Sequence, residues 1–317
     1  MPLVEHDERD ARSFLVFWLC RLIVKTLMRI IPATPSTLRR LAVLDQWAAR
    51  NARPIRGVFV TPETIAEVRV ERITPDGIED SRIAVLYTHG GAFLAGGLDT
   101  HRPIAAAIAR AVGAPVVNVA YRQCPEVGVG TSVRDGYAVY RELRRSGEFD
   151  AVVVAGDSAG GYIAAKIVEY AARDGLARPD AYVGLSPLLN LSPGADRTSR
   201  HDAMLPIKKI EKLRQFYDQG PEVLDGELNV TLDAVARLFP PAIVVCGRGE
   251  ALQKDAMDLC AALDRAGVTN ELHLYAGQIH AFPAAVPGSA QTRDAVARVA
   301  EFVRRAVGAG RERADIA

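Results

Sequence analysis

A serine stands at the turn between an apolar segment and a helical pattern. The segment Ala151–Ala155 consists of small and β-branched residues, typical of a buried strand, and it runs directly into Gly156-Asp157-Ser158-Ala159-Gly160-Gly161. Glycines allow the chain to turn tightly, so this strand–turn–helix order presents the Ser158 hydroxyl above the edge of a sheet, as in a nucleophile elbow. We predict Ser158 as a nucleophile and Asp157 as a structural hydrogen-bonding residue of the turn.

A second glycine-rich turn, His89-Gly90-Gly91-Ala92-Phe93, follows the apolar run Ile83–Tyr87. Acyl transfer through a serine needs preorganised backbone N–H groups that stabilise the tetrahedral oxyanion, and small residues let that backbone approach the substrate. The loop also fits a plain tight turn at a strand end, but the serine turn downstream favours the first interpretation. We predict an oxyanion hole formed by the N–H groups of Gly91, Ala92 and Ala159, with Gly90 shaping the loop.

A serine hydroxyl becomes an effective nucleophile when a base accepts its proton. The chain has six histidines, and His280 lies in a loop just after the last predicted strand and before the final predicted helix. A histidine in that loop can fold back over the carboxyl-terminal edge of the sheet, where the serine turn lies. His273 alternates within the strand. The sequence therefore predicts His280 as the base and His273 as a structural side chain.

The third member of such a site is an acid that orients the imidazole, and in this strand–turn–helix context it falls between serine and histidine in the chain. Glu250 lies in the loop at the end of the apolar run Ala242–Cys246, from which a carboxylate reaches the histidine. Asp255 lies further on, at a predicted helix start, where capping or pairing with the helix dipole is its alternative role. The order favours Glu250 and leaves Asp255 as the second candidate.

Apolar runs rich in valine and isoleucine alternate with longer amphipathic patterns from residue 54 onward. The predicted strands are Ile83–Tyr87, Pro115–Ala120, Ala151–Ala155, Tyr182–Leu185, Ala242–Cys246 and Glu271–Tyr275, and the predicted helices are Pro103–Val112, Ser132–Ser146, Gly161–Asp174, Asp255–Ala266 and Ala290–Val307. Two alternating stretches, near Gly57–Val60 and Ile65–Ile73, suit antiparallel edge strands. Because unbroken apolar strands are buried on both faces, the pattern predicts an α/β fold, with a mostly parallel sheet covered by helices, in a main domain over residues 54–317.

Two less regular segments flank or interrupt this pattern. The pattern of residues 1–53 predicts a two-helix N-terminal segment, with the second helix running through Leu38 to Ala49, and that of residues 187–235 predicts an insertion over the site. In the first helix, Phe14–Ile31, three cations at a spacing of four are too costly for a membrane-crossing helix. Two interpretations remain: a helix packed over the core with a solvated basic stripe, or a lid or peripheral membrane-surface helix.

Bulk properties exclude some classes of partner. The 317 residues carry a formal net charge of +1 and no basic run interleaved with aromatics, which argues against nucleic-acid binding. The four cysteines have no metal-ligand spacing and favour buried thiols in a reducing compartment, and the acidic start is the reverse of a secretory signal. We expect a cytoplasmic location and no metal or cofactor, and the oligomeric state stays open.

These motifs together resemble the hormone-sensitive-lipase-like (HGGG-type) family of α/β-hydrolase esterases over about residues 55 to 307. The matching motifs are the His89 loop, Leu98-Asp99-Thr100-His101-Arg102-Pro103, Tyr121-Arg122 with Pro125-Glu126, the Ser158 turn, Leu185-Ser186-Pro187 and the His280 loop. The resemblance implies an α/β-hydrolase fold, a cap over residues 1–53 that lines the acyl pocket, and short- to medium-chain carboxylic esters as substrates.

Three positions depart from the family pattern. Ala92 replaces a third glycine, which leaves the backbone N–H donor in place. The segment Val127–Thr131 lacks the usual prolines. The family generally has an aspartate as its acid where Gly249 stands here, so Glu250 would take over that role, since either carboxylate can orient a histidine.

Two other functions are compatible with these residues. One is amide hydrolysis, such as deacetylation of a small metabolite, which uses the same nucleophile and base. The other is a non-catalytic module that keeps the fold and binds a small molecule in the pocket. Retention of Ser158 and His280 favours an enzyme. The unusual loop that contains Gly249 and Glu250, called the acid loop below, leaves the binding module as an alternative.

Overall fold

One sheet connects almost all of the chain that a computed structural model describes, namely residues 3–8, 10–32, 55–78, 81–192, 200–226 and 231–316 with the single positions 34, 36, 37, 40, 43, 195, 197 and 228. Its strands are β1 (Leu3–His6), β2 (Val58–Ile65), β3 (Val68–Pro75), β4 (Ile83–Thr88), β5 (Val116–Val119), β6 (Ala151–Asp157), β7 (Tyr182–Leu185), β8 (Ala242–Gly247) and β9 (Asn270–Tyr275). Within the described residues, their order is β1-β9-β8-β7-β6-β4-β5-β3-β2.

The strand directions confirm the predicted mixture. The pairings from β1 across to β5 are parallel, whereas β3 runs antiparallel to β5 and β2 antiparallel to β3. A two-residue turn joins β2 to β3, and both of its residues, Ala66 and Glu67, have positive φ, which matches the twist of a tight hairpin. The carboxyl ends of the parallel strands meet at one edge, and that edge is where the loops of the site begin.

Helices cover both faces of the sheet, as the alternating pattern predicts. They are α1 (Ala11–Leu19), α2 (Lys25–Ile30), α3 (Leu98–Val112), α4 (Val129–Arg145), α5 (Ala159–Arg173), α6 (Ile207–Leu213), α7 (Leu232–Val235), α8 (Gln253–Arg265), α9 (Phe282–Ala285) and α10 (Ala290–Ile316). Two buried apolar clusters form the core: α4, α5 and α8 pack on one face, and α3 and α10 on the other.

The first strand is a finding that the sequence pattern did not predict. Leu3–His6 pairs in parallel with β9 at the sheet edge, and the His6 ring stacks on Tyr275 with 4.0 Å between centroids. Leu3 and Val4 remain 42% and 37% exposed, so little apolar burial accompanies the backbone pairing of this strand. Its residues have no alternating apolar pattern that would predict a strand. Part of the segment predicted as a cap therefore belongs to the sheet, and the boundary at residue 54 stays a prediction.

The N-terminal helix packs the opposite way from the interpretation that gives it a solvated basic stripe. Helices α1 and α2 are joined by a π-helical turn at Cys20–Val24. Arg21 donates to the carbonyl of Arg200, and buried Lys25 donates to the carbonyl of Asp202. The outward face is apolar instead, with exposed Phe14, Leu15, Trp18, Leu19, Leu22, Ile23, Leu27 and Ile30. The stripe expectation was wrong for Arg21 and Lys25, because these two cations donate to backbone carbonyls of a neighbouring segment, whereas Arg29 is exposed.

The predicted second N-terminal helix and the predicted insertion at residues 187–235 lie only partly within the described residues. Most of the predicted helix through Leu38 to Ala49 lies outside the described residues. Within residues 187–235, the described parts contain the short helices α6 and α7 separated by irregular chain. Among the described residues, the structure contains no helix that is both long and apolar enough to cross a membrane.

Candidate active site

Ser158 occupies a strained turn between β6 and α5. Its backbone has φ of 50° and ψ of −119°, a conformation that non-glycine residues rarely adopt outside functional turns. Close contacts require the flanking glycines: a Cβ on Gly160 would lie 1.9 Å from the Thr88 carbonyl oxygen, and one on Gly156 would lie 2.4 Å from the Gly160 carbonyl carbon. The sequence order thus produces the predicted elbow, with the hydroxyl at the start of α5.

The structure brings the predicted nucleophile, base and acid into one line of contacts. The Ser158 Oγ lies 2.8 Å from His280 Nε2, and His280 Nδ1 lies 3.2 Å from Glu250 Oε1. Both His280 and Glu250 are buried. A carboxylate on Nδ1 holds the ring in the tautomer whose Nε2 accepts a proton from the serine. The three elements that supply these residues end at the same edge of the sheet.

Glu250 is held by more than the histidine. Its Oε2 accepts hydrogen bonds from the Gly247 N–H and from the Ser186 hydroxyl, each at 2.9 Å. The Ser186 Oγ in turn accepts the Ala281 N–H at 3.1 Å, directly after the histidine. Ser186 therefore links the acid loop to the base loop. Sequence reasoning missed this role, although the motif Leu185-Ser186-Pro187 was its available signal.

Asp255, the second candidate acid, binds groups other than the histidine. Its carboxylate accepts the backbone N–H groups of Leu189 and Asn190 at 2.7 and 2.9 Å and forms an ion pair with Arg197. It is buried near the start of α8. Asp255 thus fixes the segment after β7, and Glu250 is the acid whose carboxylate contacts His280.

The His89 loop is folded so that several N–H groups stay free at the site. Gly91 has φ of 116°, and a Cβ there would lie 2.0 Å from the Ala95 carbonyl oxygen. Ala92 also has positive φ, at 55°. The N–H groups of Gly91, Ala92 and Ala159 donate no hydrogen bond within the described residues. These are the three donors that the sequence predicts for an oxyanion hole.

Asp157 connects this loop to the serine turn. Its Oδ1 accepts the Gly90 N–H at 2.9 Å and the Tyr87 hydroxyl at 2.7 Å, and its Oδ2 lies 3.5 Å from His101 Nε2. The Gly90 N–H is therefore bound to the Asp157 carboxylate and does not belong to the donors that lack a partner. Burial opposes ionisation, but His101 and the hydrogen bonds outweigh it and lower the pKa of the Asp157 carboxyl.

His89 supports the loop from behind. Its ring stacks on Tyr121 with 4.2 Å between centroids, and its Nδ1 lies 2.7 Å from the Gly90 carbonyl oxygen. Burial, together with the neighbouring His101 ring, lowers the pKa of His89 to about 3. A neutral ring donates from Nδ1 to that carbonyl, so His89 is a structural part of the loop rather than a base.

Comparison with known proteins agrees with this architecture. A family model described as alpha/beta hydrolase fold matches residues 85–284. Esterase LipU of Mycobacterium tuberculosis is 32% identical over 284 residues, which cover 84% of this chain and 93% of LipU. Carboxylesterase/phospholipase LipF of the same organism is 30% identical over 296 residues, or 90% of this chain and 79% of LipF.

A solved structure of an esterase from the bacterial hormone-sensitive lipase (HSL) family superposes with a TM-score of 0.80 and 25% identity, covering 95% of this chain and 100% of that chain. This chain belongs to the hormone-sensitive-lipase-like family of α/β-hydrolase esterases. It is a hydrolase that acts on ester bonds. The fold and the family expectation are thereby confirmed.

The segment Val127–Thr131 contains two glycines that lie against backbone from another part of the esterase. A Cβ on Gly128 would lie 1.9 Å from the Gln219 carbonyl oxygen, and one on Gly130 would lie 2.2 Å from the Glu222 carbonyl oxygen. The two glycines therefore let the irregular chain after α6 approach the start of α4. The two glycines thus serve the close packing of that segment against the start of α4.

The electrostatics of the esterase's buried pair suit proton transfer. Burial lowers the pKa of His280, but the carboxylates of Glu250, Asp202 and Asp157 outweigh it and raise that pKa above its ordinary value. Burial raises the pKa of the Glu250 carboxyl, and the His280 ring opposes that rise. A base with a raised pKa accepts the serine proton more readily and remains able to return it to a leaving group.

Proposed function

We propose that this esterase hydrolyses carboxylic esters of short- to medium-chain acids through a covalent acyl-enzyme on Ser158. The observation that carries the proposal is the contact between the Ser158 Oγ and His280 Nε2 at 2.8 Å, continued from Nδ1 to the buried Glu250 carboxylate at 3.2 Å. A hydroxyl, a base and an orienting acid in this geometry are the requirements of nucleophilic acyl transfer. The acyl length is proposed from the family resemblance.

The reaction proceeds in two steps. Nε2 of His280 takes the Ser158 proton while Oγ forms a bond to the ester carbonyl carbon, and the carbonyl π electrons move to oxygen. The tetrahedral intermediate collapses, the C–O bond to the alcohol breaks, and His280 returns the proton to that alcohol. Water then attacks the acyl-enzyme with His280 again as base, which releases the acid and restores the serine.

The oxyanion is stabilised by the N–H groups of Gly91, Ala92 and Ala159, whose lack of partners within the described residues leaves them available. Preorganised donors of this kind lower the barrier because they need no reorganisation as charge develops. Asp157 holds the loop in place through the Gly90 N–H. Glu250 balances the positive charge on His280 during both steps.

Labelling with a fluorophosphonate tests the nucleophile. The native protein should be labelled and should cleave p-nitrophenyl butyrate, whereas Ser158→Ala should do neither and should keep its thermal unfolding midpoint. A native protein that is neither labelled nor active would overturn the esterase mechanism and leave the binding module. A series of p-nitrophenyl esters from acetate to laurate tests the acyl length, and a preference for the longest chains would contradict it.

Amide hydrolysis uses the same residues and differs in its leaving group. A matched pair of p-nitrophenyl acetate and p-nitroacetanilide separates the two reactions, because both carry the same acyl group. We expect a much larger kcat/KM for the ester. Comparable values would favour the amidase alternative.

Two features of the surroundings extend the proposal. The outward apolar face of α1 and α2 supports peripheral contact of residues 14–31 with a membrane surface, because aromatic and aliphatic side chains lie beside exposed Arg12 and Arg29. The four cysteines, all buried and unpaired, support a cytoplasmic location.

A further inference from the structure

A second carboxylate lies beside the acid loop, and its hydrogen bonds have not been described so far. Asp202 is only 1% exposed. Its Oδ1 accepts the N–H groups of Met204 and Leu205, both at 2.6 Å, and its Oδ2 accepts the Ala251 N–H at 2.8 Å. Ala251 directly follows Glu250, so the Asp202 side chain fixes the backbone that carries the acid.

The N-terminal helix contacts the backbone of Asp202. The buried Lys25 ammonium donates to the Asp202 carbonyl at 2.5 Å, and Arg21 donates to the Arg200 carbonyl at 3.2 Å. Both cations come from the helical face that turns toward the body of the protein. A path of direct contacts thus runs from Lys25 through Asp202 to Ala251 and the adjoining Glu250.

We propose that Asp202 is a positioning residue for Glu250 and that Lys25, by holding and partly neutralising Asp202, tunes the base His280 through it. The proposal rests on the proposed acyl-transfer function, because it assigns Glu250 and His280 their roles there. It gives the N-terminal helix a role at the site, since that helix supplies a buried cation that holds the backbone of Asp202 beside the loop of the catalytic acid.

Hydrogen-bond chemistry makes an aspartate necessary at this position. Both oxygens of Asp202 accept N–H groups, Oδ1 from its own turn and Oδ2 from the acid loop. An asparagine has one accepting oxygen and one donating NH₂ group, so it would place donor against donor on one side or the other. The acid loop would then shift, and Glu250 would lose its alignment with His280.

Charge gives the second signature. The carboxylates whose charges act on His280 are Glu250 from the acid loop, which contacts it, Asp202 from the segment before α6 and Asp157 from β6, and all three raise its pKa. Loss of the Asp202 charge should therefore lower the pKa of His280. Loss of the Lys25 charge should raise it, because the negative charge of Asp202 would then act without its nearby cation.

The experiment measures kcat and KM for p-nitrophenyl butyrate against pH in the full chain. The variants are Asp202→Asn and Lys25→Met, and Asp233→Asn is the control because Asp233 is an exposed partner of Arg265. We expect kcat to fall between about tenfold and a hundredfold in Asp202→Asn, since small misplacements of catalytic groups cost that much, with KM nearly unchanged. The acidic limb of kcat/KM should move to lower pH in Asp202→Asn and to higher pH in Lys25→Met.

Opposite movements of the acidic limb are the result that a purely structural role would not produce. The proposal is overturned if the acidic limb of kcat/KM lies at the same pH in the native protein and in both variants. An unchanged kcat in a folded Asp202→Asn would overturn it as well. If Asp202→Asn does not fold, the direction of the limb in Lys25→Met decides the question. Fluorophosphonate labelling of the native protein is measured alongside to separate this inference from the proposed function. A native protein that is not labelled contradicts the acyl-transfer function. If the native protein is labelled but the acidic limb does not move in the variants, only this inference is contradicted.

Discussion

Replacing Glu250 by glutamine keeps the shape of the side chain and removes its negative charge. In the native protein Oε1 lies 3.2 Å from His280 Nδ1. Two unit charges at that separation attract by about 5 kcal/mol at an effective dielectric constant of about 20, which is the stabilisation of the imidazolium that the variant forfeits. Each factor of ten in rate corresponds to about 1.4 kcal/mol, so kcat/KM should fall between about a thousandfold and ten-thousandfold.

Hydrogen bonding points the same way. Oε2 already accepts the Gly247 N–H and the Ser186 hydroxyl. The glutamine oxygen is therefore drawn to that side, and its NH₂ group faces His280. The ring must then accept at Nδ1 and carry its proton on Nε2, where it cannot act as a base toward Ser158.

The assay compares Glu250→Gln with Asp255→Asn in p-nitrophenyl butyrate hydrolysis across pH, with the folded fraction of each measured by circular dichroism. Because His280 acts in its neutral form, kcat/KM rises with pH through its raised pKa, and removal of the Glu250 charge should move this limb to lower pH. Asp255→Asn should cost stability instead, since that carboxylate binds Arg197 and two backbone N–H groups. A larger rate loss in folded Asp255→Asn than in Glu250→Gln would refute the assignment.

Three further results are expected. Gly91→Ala should lower kcat about a hundredfold because a Cβ there meets backbone at 2.0 Å, whereas Gly97→Ala, with no atom within 4 Å of its Cβ, should leave kcat unchanged. His89 has a pKa of about 3 in the folded protein, so below about pH 6.5 the unfolded chain binds a proton at this residue that the folded protein does not, and the folding constant falls about tenfold per pH unit. Guanidinium titrations at several pH values should show that His89→Gln lacks this contribution to the pH dependence of the free energy of unfolding. Leu22→Glu should reduce flotation with anionic vesicles, and Phe59→Glu, exposed on β2, should not; equal flotation would contradict membrane contact.

Local signals explain why much of the molecule could be predicted from the sequence. The parallel strands are unbroken apolar runs that have no other stable place than a covered sheet. The turn at Ser158 and the loop after His89 contain runs of small residues and glycines that are visible in the sequence. Some of these glycines are required by neighbours in the chain, as Gly91 is by Ala95, whereas Gly160 is required by the distant backbone of Thr88. The glycine pattern predicts the two turns, although it does not reveal which backbone each turn packs against.

Long-range partners explain what could not be predicted. Four residues at Leu3–His6 form a strand because the edge of β9 is open to backbone pairing, and their own side chains carry no burial pattern. The cations at every fourth position of the N-terminal helix give the same sequence pattern whether their side chains face water or backbone carbonyls, so the pattern does not predict which way that face turns. Lys25 faces inward because the segment at Asp202 presents a carbonyl to it, 177 residues away in the chain.

The acid loop shows how backbone conformation selects the residue that does the chemistry. Gly249 has φ of 86°, where a side chain is strained, and a Cβ there would lie 3.1 Å from the His201 Cβ. A short carboxylate at that position would have to bear both penalties. Glu250, one residue further, has a longer side chain that reaches His280 while closing on the Gly247 N–H three residues earlier. The left-handed turn that disfavours a side chain at Gly249 thus also brings Glu250 to His280 and presents Ala251 to Asp202.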